Sequence, residues 1–95
     1  MDEIEFREWL EGSGKNKRVV SDAISRAKAL QRELGVSLND EYRKDKCKTI
    51  MEALSINKGE NELMRKYGDV KLPIGKASLG AYRYALRAYV EYKNY

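Results

Sequence analysis

The chain has 95 residues, of which 42% are hydrophobic and 36% are charged, with a net charge of +4. This length predicts a single domain, residues 1–95, with one modest core, and the composition is too apolar for a disordered tail. No apolar run approaches the ~20 residues that cross a bilayer, and a lone cysteine excludes an internal disulfide and fits a reducing cytoplasm.

The charge is distributed unevenly along the chain. Residues 1–14 contain five acids and one base, a net charge of −4, so residues 15–95 carry +8. A cationic body of this kind suits a polyanionic partner such as nucleic acid or an acidic protein surface. The alternative is a domain that is basic for solubility alone.

Apolar residues recur at intervals of three and four, which predicts an all-α bundle of four to five helices. The expected helices cover residues 3–11, 17–34, 45–55 and 77–94, with a short helix over 59–67. In the first helix Ile4, Phe6, Trp9 and Leu10 lie on or near one side. In the second helix the apolar residues form a stripe that is expected to face the core, namely Val20, Ala23, Ile24, Ala27, Leu30 and Leu34. In the third, Cys47, Ile50, Met51 and Leu54 match the helical spacing.

Helix boundaries are indicated by capping residues. Gly12 is expected to close the first helix, and Gly35 is expected to close the second in the left-handed conformation. Asn16 is expected to cap the start of the second helix. Residues 36–45 are expected to connect to a third helix that Asp40 or Asp45 caps.

The last helix concentrates tyrosines and arginines. At about 100° per residue, Tyr82 and Tyr89 fall on the apolar side, where their rings are expected in the core. A polar stripe on the opposite side has the chemistry to contact phosphates, since guanidiniums offer paired donors and a phenol offers one more. The alternative is a solvated face with an Arg87–Glu91 ion pair. The stripe comprises Lys76, Arg83, Tyr84 and Arg87.

A second cationic feature lies at the start of the second helix. Lys15, Lys17 and Arg18 surround a helix end whose unpaired amides already favour an anion. Cations at that end oppose the helix dipole unless a bound anion offsets them. The polar side of the helix continues with Ser21, Ser25 and Lys28.

Residues for catalysis or metal binding are scarce. The chain has no histidine, which removes the most common general base and metal ligand near neutral pH. Cys47 lies among apolar positions and is expected to be a core thiol, and one cysteine does not make a zinc site. We therefore expect a chain that is not an enzyme and that binds no metal or cofactor.

The layout resembles the N-terminal core-binding, SAM-like domain of tyrosine recombinases, the phage integrases. The counterparts are "FREWLEGSGKNKRVVSDAISRAKALQREL", "CKTIMEAL" and "SLGAYRYALRAYVEYKN". The ending "YRYALRAYVEY" is similar to that family's closing helix, and also to helical N-terminal modules of some prokaryotic restriction-type nucleases.

The resemblance implies a small SAM-like bundle that grips double-stranded DNA beside a separate catalytic domain of a mobile-element enzyme. On that basis the DNA contacts are expected from Lys15, Lys17, Arg18, Lys76, Arg83 and Arg87. The alternative is a protein-interaction or adaptor module, phage-encoded or associated with a restriction enzyme, that binds a protein partner or a second copy of itself.

Overall fold

The computed structural model describes residues 2–54, 67–68 and 76–94, and these residues form helices joined by turns, with no strand among them. The predicted all-α class is confirmed. The helices in chain order are α1 (Glu3–Gly12), α2 (Lys17–Leu34), α3 (Leu38–Asp45), α4 (Lys48–Ala53) and α5 (Lys76–Asn94). Of the predicted helix over 59–67, only Tyr67 belongs to the described residues, and the side chains of residues 76–78 lie outside them.

The start of α1 is capped by a carboxylate. Asp2 accepts a hydrogen bond from the Glu5 amide at 2.9 Å, which satisfies one of the amides that a helix start leaves unpaired. The prediction that Gly12 closes this helix is wrong. Gly12 is still helical, and Gly14, with a φ of +84°, is the residue that turns the chain.

The buried side of α1 is narrower than predicted. Phe6 and Leu10 are one turn apart and both are fully buried, with Trp9 half-buried beside them. Ile4, which was expected on or near the same side, is 73% exposed and lies outside the core. The physical reason is that Ile4 precedes Phe6 by two residues and therefore lies about 200° around the helix from it.

α2 covers the predicted range and carries both predicted caps. The Asn16 side chain accepts a hydrogen bond from the Val19 amide at 2.9 Å, and Gly35 is left-handed with a φ of +66°. Every residue of the predicted apolar stripe is buried, so this side of α2 forms the centre of the core. Those residues are Val20, Ala23, Ile24, Ala27, Leu30 and Leu34.

The connection predicted over residues 36–45 is wrong, because most of it is helix α3. Ser37 caps α3, and its hydroxyl accepts a hydrogen bond from the Asp40 amide at 3.4 Å. Leu38, in the first turn, is fully buried and anchors the helix to the core. The segment is mostly polar, so its sequence shows no apolar stripe from which a helix could be predicted. Leu38 is the one residue of this short surface helix that is buried.

The helix predicted over 45–55 is shorter in the structure, because the chain breaks between α3 and α4. Lys46 and Cys47 are both left-handed, with φ of 56° and 63°. Asp45 accepts hydrogen bonds from the amides of Lys48 and Thr49, each at 3.1 Å, at the start of α4. Of the two predicted capping residues, Asp40 and Asp45, it is Asp45 that caps this helix. Cys47 is fully buried, as predicted, although it lies in the turn rather than in a helix.

The tyrosines of α5 complete the core. Tyr82 and Tyr89 are 9% and 1% exposed, which confirms their predicted burial. Phe6 meets Tyr89 edge-to-face, with ring centroids 5.4 Å apart, and meets Tyr92 at 5.2 Å. The rings on α5 therefore fasten α1 to the bundle, and α2 packs against both of these helices.

Candidate nucleic-acid interface

The start of α2 presents cations around an open helix end. Lys17 and Arg18 are exposed and Lys15 is partly exposed, while the first turn of the helix contains no acid. Asn16 satisfies the Val19 amide through its side chain and the Val20 amide through its carbonyl. The amides of the first two helical residues have no acceptor within the helix, as at any helix start. Charge and geometry at this end both favour an anion.

The predicted stripe on α5 is only partly on the surface. Tyr84 is 40% exposed and Arg87 is exposed, as predicted. Arg83 is partly buried, and its Nε is enclosed without a hydrogen-bond partner, so its predicted place on the solvent face needs correction. Arg83 lies about 100° around the helix from Tyr84, towards the apolar side. Lys76 is the first residue of α5, and its side chain lies outside the described part of the structure.

A groove of about 380 Å³ lies between the start of α2 and α5. Val19 and Tyr84 line it, together with Asp22 and Arg26, which form an ion pair at 3.7 Å. Arg18 and Arg87 do not line this groove. Arg18 is next to Val19 in the chain, and Arg87 is one turn beyond Tyr84 on the exposed side of α5.

The polar strip along α2 has a different setting from the helix start. Ser21, Ser25 and Lys28 line a second groove, between α1 and α2, whose volume is about 310 Å³. Lys28 forms an ion pair with Glu3 across it, at 3.5 Å. The groove also contains Arg7 and Arg32, so its lining has three cations and one acid, and Lys28 is the residue there that α1 pairs with a carboxylate. The prediction that Ser21, Ser25 and Lys28 lie on the polar side of α2 is confirmed, but the sequence does not predict that α1 lies beside this side.

Pairing with carboxylates separates the cations of the described residues into two groups. Arg26, Lys28, Arg32 and Arg43 are each within 4.0 Å of an acid. Lys15, Lys17, Arg18 and Arg87 have no such partner in the described ranges, and the Arg87–Glu91 pair of the solvated-face alternative is not formed. Six other described cations also lack a carboxylate partner, so the absence of an ion pair does not by itself single out the predicted DNA contacts. These six are Arg7, Lys44, Lys46, Lys48, Arg83 and Lys93.

The single thiol has an environment that opposes nucleophilic chemistry. Burial, followed by the nearby charges of Asp45 and Glu41, raises the pKa of Cys47 to about 12. The thiol is therefore protonated near neutral pH, and only the thiolate is an effective nucleophile. Its Sγ lies 3.8 Å from the Leu38 carbonyl oxygen, to which it donates a weak hydrogen bond. Cys47 acts in packing.

The described residues contain no group of three or more acidic or cysteine side chains arranged to hold a metal ion. None of their helices combines the length and apolar character that a membrane span needs.

One feature of the surface was missed by the sequence analysis. A cleft of about 450 Å³ between α1 and α5 is lined by Trp9 and Tyr92, with Glu5, Glu8 and Lys93 around them. The rings of Trp9 and Tyr92 are 6.0 Å apart between centroids. The only signal in the sequence was that Trp9 follows two glutamates, at one and four positions before it, on the same helix. The contribution of α5 depends on tertiary packing.

Comparisons with known proteins give no match to a protein family, to a curated protein or to a solved structure. The resemblance to the recombinase core-binding domain therefore stays a prediction, carried by the residues quoted above.

Proposed function

We propose that the chain is a non-catalytic DNA-binding module of the core-binding type found in tyrosine recombinases. It holds a duplex mainly through phosphate contacts made by the start of α2 and the exposed side of α5. The chemistry on the DNA would belong to another domain or protein. Neutralising phosphates releases bound counterions, so this mode gives affinity that falls steeply with salt.

The observation that carries the proposal is the cluster of unpaired cations. Three cations within four residues surround the open end of α2, and none has a carboxylate partner in the described ranges. Such a cluster repels itself and opposes the helix dipole, which lowers stability in the absence of an anion. Exposed Arg87 and Tyr84 on α5 extend the surface with donors suited to phosphate.

The proposed contact set is smaller than the sequence predicted. It keeps Lys15, Lys17, Arg18, Tyr84 and Arg87, and it leaves Lys76 as a candidate by sequence alone. Lys28 is left out because its ion pair with Glu3 partly offsets its charge, and Ser21 and Ser25 because they are uncharged and lie in the same groove. Arg83 stays a secondary candidate, because its Nε is enclosed while its side chain as a whole is partly exposed.

The test is a fluorescence anisotropy titration of a labelled, mixed-sequence DNA duplex with three proteins. The variant K15A/K17A/R18A removes the cluster, and K28A/R32A/R43A removes the same charge from cations that are ion-paired and lie outside the groove between α2 and α5. We expect the first variant to lose at least tenfold in affinity and the second to lose far less. Equal losses would show that net charge alone drives binding, and the proposed surface would be wrong. Absence of binding by the unmodified chain at low salt would end the DNA proposal.

A protein-interaction module is the second candidate, and the cleft between α1 and α5 is the observation that favours it. The cleft combines aromatic rings with carboxylates in the acidic first helix, on a part of the surface that the DNA proposal does not use. A small domain is able to hold both surfaces at once.

A further inference from the structure

We infer that the cleft between α1 and α5 is a binding site for a cation, and specifically for an arginine side chain in a basic segment of a partner protein. This inference does not rest on the proposed DNA binding. Its site, the arginine cleft, consists of Glu5, Glu8, Trp9, Tyr92 and Lys93.

The shape and lining of the arginine cleft define the ligand. Trp9 and Tyr92 are both half-buried, so part of each ring is held by the core and part faces the cleft. The face of an aromatic ring attracts a cation, and tryptophan does so most strongly. Exposed carboxylates of Glu5 and Glu8 stand beside the rings and supply negative charge. Rings and carboxylates together match a group that is flat, cationic and rich in N–H donors.

The cleft already contains a cation of its own. The Lys93 Nζ lies 5.9 Å from the centroid of the Tyr92 ring, within the range of a cation–π contact. Lys93 directly follows Tyr92 in the chain, so the contact shows where the cleft already contains positive charge. An incoming cation would compete with Lys93 for the same face.

The Tyr92 hydroxyl is held as a neutral donor. Burial is the main factor that raises the pKa of Tyr92 to about 12, followed by a hydrogen bond to Glu5 and by the charges of Glu5 and Asp2. The phenol therefore stays protonated, and Glu5 lines the cleft beside it. A carboxylate beside a ring is suited to a guanidinium, which stacks on the ring and donates to the carboxylate at the same time.

Arginine fits this site better than lysine, and a partner fits better than a second copy. The guanidinium is planar and weakly hydrated, whereas an ammonium is a compact and strongly hydrated charge. In a second copy, Arg26, Arg32 and Arg43 are already ion-paired. The exposed arginines among the described residues that lack a pair are Arg18 and Arg87, and both lie within helices rather than in an extended basic segment. Residues 1–14, with a net charge of −4, would draw a basic segment to this side of the molecule.

The chain offers a direct reporter for the test, because Trp9 is its only tryptophan. Its indole N–H gives one cross-peak in an NMR spectrum, and its fluorescence reports the same site. The probes are three capped pentapeptides of the form Gly-X-Gly-X-Gly, in which X is arginine, lysine or citrulline. Citrulline has nearly the shape of arginine without the charge.

We expect the arginine peptide to shift the Trp9 cross-peak with saturation, the lysine peptide to bind more weakly, and the citrulline peptide to give no saturable shift. A citrulline response equal to that of arginine would overturn the inference. Concentration-dependent dimers that E5Q/E8Q abolishes would also overturn it, since the occupant would then be a second copy.

Three variants locate the site. E5Q/E8Q removes both carboxylates, and we expect about a fivefold or greater loss of arginine-peptide affinity. The control E52Q/E91Q changes the net charge equally at exposed acids outside the cleft, and an equal loss there would overturn the inference. Lys93→Ala removes the resident cation and is expected to raise the affinity about two- to fivefold. A fall in affinity in Lys93→Ala would mean that the lysine is part of the binding machinery rather than a competitor. Circular dichroism of each variant checks that the fold is retained.

Discussion

Replacing Phe6 with leucine tests whether the aromatic contacts between α1 and α5 hold the first helix in place. Phe6 is fully buried, with one edge-to-face contact to Tyr89 and one tilted contact to Tyr92, at 5.4 and 5.2 Å between ring centroids. Leucine keeps most of the apolar burial but loses both ring pairs. Such pairs contribute about 0.5–1.5 kcal/mol each beyond burial, so we expect a loss of about 1–3 kcal/mol in the free energy of unfolding.

The assay is urea unfolding followed by circular dichroism at pH 7. For a domain of this size a loss of 1 kcal/mol lowers Tm by about 4–8 °C, which gives a second readout. The matched control is Ile4→Ala on the same helix, where the side chain is 73% exposed and the expected change is within about 0.5 kcal/mol.

A double-mutant cycle isolates the ring contact from the change in volume. Phe6→Leu, Tyr89→Leu and the double variant should give a coupling energy of about 0.5–1.5 kcal/mol. A coupling near zero, or a Phe6→Leu variant as stable as the unmodified chain, would show that these rings are not what fastens α1.

Three further predictions concern the turn between α3 and α4. Asp45→Ala should lower stability by about 0.5–2 kcal/mol at neutral pH through loss of the cap. The Thr49 side-chain hydrogen bond is the largest factor that lowers the pKa of Asp45. The stability that Asp45 contributes is therefore present above its ordinary pKa of 3.8 and is lost as the pH falls through the lower folded value. The difference in stability between the unmodified chain and Asp45→Ala should shrink in acid, and a constant difference would refute this assignment. Lys46→Gly should raise stability by about 0.5–1 kcal/mol, because glycine adopts a φ of 56° without strain. The control Lys48→Gly should lower stability by about 1 kcal/mol, because glycine is unfavourable within a helix such as α4. Cys47 should react with a thiol reagent only as fast as the chain unfolds, and rapid labelling of the native protein would contradict its burial.

The parts of the fold that sequence predicted well are those set by local signals. α2 has an apolar stripe of regular spacing, an asparagine before it and a glycine after it, and each signal acts within a few residues. The break between α3 and α4 has no such signal. It depends on two consecutive left-handed residues that are not glycine, Lys46 and Cys47, and tertiary burial of the cysteine overrides their local preference.

The candidate site was predicted in composition but not in arrangement. A helical projection assigned Ser21, Ser25 and Lys28 to the polar side of α2, but it does not reveal which neighbour covers that side. Helix α1 lies beside that side, and its Glu3 forms an ion pair with Lys28. For a similar reason, the helical projection assigned Arg83 to the solvent side of α5. Arg83 lies between the apolar and the solvent side of the helix and is partly buried by neighbouring helices that the projection does not include. The arginine cleft is formed by two helices from opposite ends of the chain, so the spacing of residues within one helix does not predict it.

The salt dependence of DNA binding tests the central claim most directly. The dissociation constant of a mixed-sequence duplex would be measured by anisotropy at several salt concentrations, for the unmodified chain and for K15A/K17A/R18A. With about five phosphate contacts, the slope of log K against log salt should be about −4 to −5, and the triple variant should reduce its magnitude by about 2.7. A slope near zero, or the same slope in both proteins, would contradict the assignment of the α2 start as a phosphate-binding surface.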